Sequence, residues 1–76
     1  MKTYIFPVGL EQDEDGRWSA WVDALPGCAV WGYTKEEAVE ALQDAAQAYI
    51  EVLREEGRKI PHGLEIRDAP VVAVTI

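Results

Sequence analysis

Carboxylates are the most concentrated reactive side chains in this sequence of 76 residues. Glu11, Asp13, Glu14 and Asp15 nearly adjoin one another, and Asp23 follows at a short distance along the chain. Carboxylates that converge on one point can hold Mg²⁺ and support phosphoryl chemistry. Such sites take their carboxylates from separate elements, whereas four of these five fall at one hairpin tip, and the spacing of a calcium-binding EF-hand loop is absent. We therefore expect a solvated turn and no metal site.

The single cysteine and the single histidine are the other candidates for chemistry. A Cys28 thiolate paired with His62 could act as a nucleophile, and the helix start that follows Cys28 could lower its pKa. Packing as a small apolar side chain explains Cys28 better, because it follows a turn at the start of a strand. His62 lies in a segment with Pro61 and Gly63, with no ligand or nucleophile near it, so we expect a loop histidine. The sequence thus predicts no catalytic residue and no cofactor.

The charge balance is strongly acidic, with a formal net charge of −7. An acidic surface repels phosphate backbones, so we expect no direct nucleic-acid binding, and it suits a basic protein partner. The N-terminal stretch lacks the apolar run of a signal peptide, and no segment approaches the roughly 20 apolar residues of a membrane span. One cysteine excludes a disulfide framework and fits a reducing compartment. We expect a single cytoplasmic domain over residues 1–76 with no membrane contact.

Apolar alternation and turn residues predict four strands. The first covers 3–11, with Pro7 at an edge or bulge, and the Asp15-Gly16 pair closes a hairpin into a second strand over 17–22. Leu25-Pro26-Gly27 fits a type II turn before a short third strand over 28–31. The final residues, 71–76, form the fourth strand. Strands joined by tight turns run antiparallel, and a right-handed crossover would place the fourth strand parallel to the first.

One long helix is predicted between the third and fourth strands. The sequence Thr34-Lys35-Glu36-Glu37 has the capping-box pattern, and Gly57 is a natural residue to follow a helix that ends near Glu56. One apolar stripe is expected to pack on the sheet, formed by Ala38, Leu42, Ala45, Tyr49, Val52 and Leu53. The resulting fold is α+β, a β-β-β-α-β sheet with one helix on one face, followed after the helix by an irregular segment over 58–70.

Two features predict contact with other proteins. An exposed apolar edge on the last strand favours a homo-oligomer, a dimer or tetramer. Trp18 and Trp21 must point to opposite faces of their strand, so one helix cannot cover both, and Trp31 and Tyr33 add further aromatic surface. These aromatics either shield the sheet or bind a partner. The predicted partner-binding residues are Asp13, Glu14, Asp15, Trp21, Trp31 and Tyr33.

A set of spaced residues resembles a known family. The set begins with the apolar strand at Tyr4 and the acidic hairpin ending in Gly16. It continues through Trp18, Leu25-Pro26-Gly27-Cys28, Gly32, Thr34, Glu37-Ala38, Gly57 and Ile60-Pro61. Together these residues resemble the HicB-like antitoxins of HicA–HicB toxin–antitoxin pairs. The sequence departs from the family at Tyr33, where an acid is common, and at Asp23-Ala24, where Pro-Asp is common.

The resemblance implies a partial ribonuclease-H-like fold that has lost catalysis, with a structural set of Leu25, Pro26, Gly27, Cys28, Gly32, Thr34 and Glu37. It implies a partner, a small basic HicA-like toxin that cleaves mRNA and whose active site is blocked on binding. Many family members add a C-terminal DNA-binding segment; because the sequence ends at Ile76, we expect none here. Two alternatives are an orphan oligomeric module of the same fold and, third, a weak hydrolase that uses Cys28 or the carboxylates.

Overall fold

The computed structural model describes residues 3–61 and 71–76. The elements in chain order are β1 (Thr3–Pro7), β2 (Gly9–Gln12), β3 (Trp18–Trp21), β4 (Ala29–Gly32), α1 (Lys35–Glu55) and β5 (Val71–Thr75). The predicted α+β class and the predicted helix between strands are confirmed. His62 and most of the irregular segment predicted over 58–70 lie outside the described residues. Within the described ranges, no helix combines the length and apolar character needed to cross a membrane.

The single first strand predicted over 3–11 is divided in two at Val8. β1 pairs with β5, whereas β2 pairs with β3, which in turn pairs with β4. The break follows Pro7, which has no N–H to offer a ladder, and Val8 turns into the core. The N-terminal segment therefore takes part in two ladders, pairing with β5 before Val8 and with β3 after it.

The last strand runs in the opposite direction to the one predicted. β5 is antiparallel to β1, with Tyr4 opposite Val74 and Phe6 opposite Val72. The prediction of a parallel strand assumed a right-handed crossover through the helix. Residues 56–70 separate the helix from β5, and an extended residue spans about 3.3 Å whereas a helical one rises only about 1.5 Å, so a connection of this length is long enough to span the helix. The length of this connection therefore permits the reversal.

The core lies between α1 and one face of the strands. Its largest fully buried side chains are Phe6, Leu25, Leu42, Ile50, Val72 and Val74. The helix contributes a stripe slightly rotated from the predicted one, because Ala46 and Ile50 are buried while Ala45 and Tyr49 are half-buried and Val52 is 49% exposed. Alanines occupy both positions 45 and 46, so composition alone did not distinguish the two faces.

Local signals define both ends of α1. The Thr34 hydroxyl accepts a hydrogen bond from the Glu37 N–H at 3.0 Å, as predicted for an N-cap. The second hydrogen bond of a capping box, from the Thr34 N–H to the Glu37 carboxylate, is not formed within the described part of the chain. At the other end, Gly57 donates to the Arg54 carbonyl at 3.1 Å and Arg58 donates to the Leu53 carbonyl at 2.9 Å. This pair of hydrogen bonds is a Schellman motif, so the helix ends where Gly57 predicts.

The Leu25-Pro26-Gly27-Cys28 segment forms the predicted turn. The Cys28 N–H donates to the Leu25 carbonyl at 2.9 Å, and Gly27 has a φ of 82°, which the third position of a type II turn requires. The Tyr49 hydroxyl donates to the Pro26 carbonyl at 2.9 Å and so fixes the turn to the helix. Leu25 is fully buried beneath it.

Gly32 lets the helix begin close to the sheet. A Cβ at this position would lie 2.7 Å from the backbone nitrogen of Ala38, which is too close for any side chain. The spacing of these residues therefore has a structural reason. β4 ends at Gly32, Thr34 caps the helix, and the first turn of the helix packs directly on Gly32.

The edge of β5 is not open, contrary to the sequence-based expectation. The Gln43 amide hydrogen-bonds to both main-chain groups of Ala73, and the Gln47 amide does the same to Thr75. Two helix side chains thus take the place of a neighbouring strand. The argument that this edge favours a homo-oligomer is therefore wrong, although the oligomeric state itself stays a prediction.

Candidate partner-binding surface

The acidic hairpin between β2 and β3 has a compact, hydrogen-bonded loop. The Asp13 N–H donates to the Arg17 carbonyl at 2.7 Å, and the Gly16 N–H donates to the Asp13 carbonyl at 3.0 Å. Asp13, Glu14 and Asp15 are all exposed. The loop therefore presents three carboxylates from one rigid turn rather than a convergent metal site.

Asp15 differs from its two acidic neighbours because Arg17 neutralises it. The Arg17 guanidinium contacts the Asp15 carboxylate at 2.6 and 2.7 Å, and the Arg17 N–H donates to the same carboxylate at 3.0 Å. The side-chain hydrogen bond to Arg17 lowers the pKa of Asp15, and the same contact raises the pKa of Arg17. The charge that this hairpin offers to a partner therefore comes mainly from Asp13 and Glu14.

An arginine–aromatic cluster lies beside the hairpin on the sheet face opposite the helix. The Arg17 guanidinium lies 5.1 Å from the ring centroid of Trp31, within the range of a cation–π interaction. Tyr33 packs edge-on against Trp31, with ring centroids 5.3 Å apart and an angle of 88°. Trp31 is 53% exposed and Tyr33 is 68% exposed. These two rings are the most accessible aromatic surface in the described residues.

Trp21 lies on the same face but is less available. Its ring covers Gly9 so closely that a Cβ there would lie 2.2 Å from the indole, and its N–H donates to Asp23 at 3.1 Å. The indole is half-buried with its polar group satisfied. Trp21 therefore forms the floor of the surface rather than a projecting anchor.

The strand register places Trp21 and Trp31 on one face, and a side-chain contact joins the hairpin loop to that face. Ser19 lies opposite Trp31, and Trp21 lies opposite both Gly9 and Ala29. The Ser19 hydroxyl also donates to the Asp13 carboxylate at 3.5 Å, which links the hairpin to the sheet. Sequence reasoning missed Arg17, although its alternation with Ser19 and Trp21 was the available signal. We call Asp13, Glu14, Arg17, Trp31 and Tyr33 the hairpin surface.

Cys28 lies away from this surface and is unsuited to nucleophilic chemistry. The residue is only 6% exposed, and burial raises the pKa of its thiol, so the thiolate is disfavoured. Beside it is an open groove of about 500 Å³ between the helix and the start of β4. The groove is lined by Gly27, Cys28, Ala29, Ala45, Ala48, Tyr49, Val52, Leu53 and Arg58. Among the residues at 3–61 and 71–76, no cluster of acidic, histidine or cysteine side chains could hold a metal ion.

Comparison with solved structures identifies the fold. The N-terminal domain of the antitoxin HicB from Burkholderia pseudomallei superposes with a TM-score of 0.74 at 21% sequence identity, covering 95% of this chain and 96% of that one. A chain of a HicA3 and HicB3 toxin–antitoxin complex superposes with a TM-score of 0.62 at 19% identity, covering 93% and 95%. At these identities the similarity establishes the architecture.

Sequence comparison identifies the family. A UPF0150 protein of Thermoplasma acidophilum is 45% identical over 56 residues, which cover 74% of this chain and 81% of that protein. The family model described as the HicB-like antitoxin of bacterial toxin–antitoxin systems matches residues 6–71. That match includes the hairpin, the Leu25-Pro26-Gly27-Cys28 turn and the whole helix, and the chain belongs to the HicB-like antitoxin family.

Proposed function

We propose that this chain is a cytoplasmic, non-enzymatic antitoxin that binds a small basic HicA-like toxin and blocks its mRNA-cleaving site. Membership of the HicB-like antitoxin family is the observation that carries the proposal. The likeness to a chain of a HicA3–HicB3 complex supports a toxin as the partner.

The hairpin surface is the part of the molecule best suited to that partner. Asp13 and Glu14 offer exposed carboxylates that would attract a basic protein and speed its association. Trp31 and Tyr33 offer the exposed aromatic area that is enriched at the centre of protein interfaces. A surface of this composition would block an active site by covering it, and it needs no reactive group of its own.

The internal pair of Asp15 and Arg17 would tune this surface. The Arg17 guanidinium lies over Trp31 while it neutralises Asp15. A cationic side chain from a toxin that bound to the Trp31 ring would displace Arg17 from the ring, and Arg17 would keep its contact with Asp15.

Co-expression with the toxin reading frame is the direct experiment. The chain would be produced together with a short neighbouring frame that encodes a basic, histidine-containing protein, and capture of the complex and rescue of growth would be measured. We expect the wild-type chain to do both. The Asp13→Lys/Glu14→Lys variant should lose both, because it reverses the hairpin charge.

The control is a charge reversal of equal size on the helix, Glu40→Lys/Glu55→Lys, at exposed positions across the fold. This variant should retain capture and rescue. A folded wild-type chain that neither captures the toxin nor restores growth would sink the proposal and favour the orphan module. Equal losses in the two variants would show that net charge, rather than the hairpin surface, governs binding.

A further inference from the structure

The two flanks of α1 differ in how they contact the strand edges beneath them, the edge of β5 and the edge of β4. The flank above β5 carries Gln43 and Gln47, which occupy the main-chain groups of that strand. The opposite flank carries Ala41, Ala45, Ala48 and Val52, which share one side of the helix by their spacing. Three of these four line the groove beside β4. In the part of the chain that the structure describes, the edge of β5 is therefore covered, and the edge of β4 is open beside an apolar helix flank.

The open edge has unsatisfied main-chain groups. The Val22 N–H donates to the Cys28 carbonyl at 3.1 Å, which makes these two residues a hydrogen-bonded pair. Such pairs alternate along an antiparallel ladder, so Ala29 and Trp31 direct their main-chain groups away from β3. The Ala29 N–H turns back to the Gly27 carbonyl at 3.1 Å. Among residues 3–61 and 71–76, nothing bonds to the Ala29 carbonyl or to either main-chain group of Trp31, so these groups remain for another strand.

The edge also lacks the usual protection against pairing. Proteins commonly block exposed edges with lysines, prolines or bulges. Residues 24–34 form the longest stretch of this chain without a charged side chain, despite the net charge of −7. The strand edges of two acidic copies could therefore meet here without placing like charges against each other.

We propose that a second copy of this chain binds at this edge, by antiparallel pairing of β4 with β4 across a two-fold axis. The register that uses the outward groups places Trp31 opposite Trp31 of the other copy and Ala29 opposite Tyr33. The four aromatic rings would then form one cluster on the open sheet face. Both helices would lie on the opposite face, antiparallel, with their alanine flanks together.

The charged residues near this edge favour a second copy of the chain over an unrelated strand as the partner. Beyond Tyr33 of one copy, the chain enters the acidic first turn of its helix at Glu36 and Glu37. The register carries that turn towards the groove of the other copy, where Arg58, which contacts Glu56 of its own chain at 3.4 Å, lies at the rim. The contact is therefore self-complementary, as a two-fold interface requires.

The first test is sedimentation velocity on the full chain over a wide range of concentrations. We expect a concentration-dependent dimer for the wild type and a monomer for Trp31→Pro, since proline removes the outward N–H and leaves the bonds to β3 in place. Trp31→Ala, which removes the same indole but keeps the N–H, should retain a weaker dimer. A wild-type monomer at every concentration, or a dimer that survives Trp31→Pro, would overturn the proposal.

The second test does not depend on whether the proline variant folds. In a Cys28→Ala background, Trp31→Cys should form a covalent dimer on mild oxidation, because paired residues about the axis lie within disulfide reach. Ser19→Cys, on the same face but one strand further in, should not. Equal cross-linking of the two variants, or none for Trp31→Cys, would contradict strand pairing. Neither test involves a toxin, so the result is independent of the proposed antitoxin activity.

Discussion

Gln43 pairs with the main chain of Ala73 as a neighbouring strand would. Its side-chain oxygen accepts the Ala73 N–H at 3.0 Å, and its side-chain nitrogen donates to the Ala73 carbonyl. Gln47 repeats the arrangement at Thr75, with distances of 3.3 and 2.8 Å. Four helical residues rise about 6 Å and two strand residues about 6.6 Å, so the two spacings match. A helix can therefore cover a strand edge with two glutamines.

Loss of these glutamines should both destabilise the protein and open the edge. For Gln43→Leu/Gln47→Leu we expect the free energy of unfolding in urea to fall by about 1–3 kcal/mol, since neutral hydrogen bonds contribute about 1 kcal/mol each. Hydrogen exchange at the Ala73 and Thr75 amides should accelerate more than exchange in β3.

A single Gln43→Glu change is the matched control. It keeps an acceptor for the Ala73 N–H but cannot donate to the Ala73 carbonyl, so the Ala73 and Thr75 amides should both keep their protection from exchange. Unchanged exchange at both amides in the double leucine variant would contradict the assignment of the glutamines as edge caps.

Gly32 should not tolerate even a methyl group. Gly32→Ala places a Cβ 2.7 Å from the Ala38 nitrogen, so the first turn of the helix must move. We expect a loss of about 1–3 kcal/mol in the free energy of unfolding, typical of overpacking. Ser19→Ala, on the opposite face of the sheet, should change stability by less than about 0.5 kcal/mol. If the two variants have similar free energies of unfolding, the helix can move away from residue 32 without loss of stability.

Thr34 should contribute through its hydroxyl rather than its size. Thr34→Ala removes the acceptor of the Glu37 N–H and should lower stability by about 1 kcal/mol, whereas Thr34→Ser keeps the acceptor and should stay close to the wild type. Thermal unfolding of the two variants, with exchange at the Glu37 amide, measures the difference. If alanine and serine prove equivalent, the cap does not stabilise the helix.

The features that sequence predicted best are those set by neighbouring residues. The Leu25-Pro26-Gly27 turn, the Thr34 cap and the Gly57 helix end each depend on a few adjacent positions, and all three are present. The direction of β5 depends on the path of the chain after the helix, which no local pattern encodes. Gln43 looked like ordinary polar surface, because only its position above a strand edge gives the amide a partner.

In the candidate site, too, local patterns predicted some features, and others depend on how the strands come together. Alternation along β3 predicted that Trp18 and Trp21 could not both pack under the helix. It could not predict that Trp21 would lie on Gly9, because that contact depends on the register between β2 and β3. Nor could it show that Arg17 joins Asp15 to Trp31, which requires the hairpin geometry.

Cys28 should make stability depend on pH in alkaline solution. Burial raises the pKa of the thiol in the folded state, so the native protein holds its proton when the unfolded chain releases it near pH 8.5. Below that pH both states are protonated and the thiol adds no pH dependence. Above it the unfolded state gains stability by ionising, and the free energy of unfolding declines until the folded thiol also titrates.

The free energy of unfolding in urea, measured between about pH 7.5 and 10, should therefore fall more steeply for the wild type than for Cys28→Ala, in which no thiol ionises. Parallel pH profiles would indicate that the thiol is hydrated in the native state, and rapid labelling of Cys28 without denaturant would indicate the same.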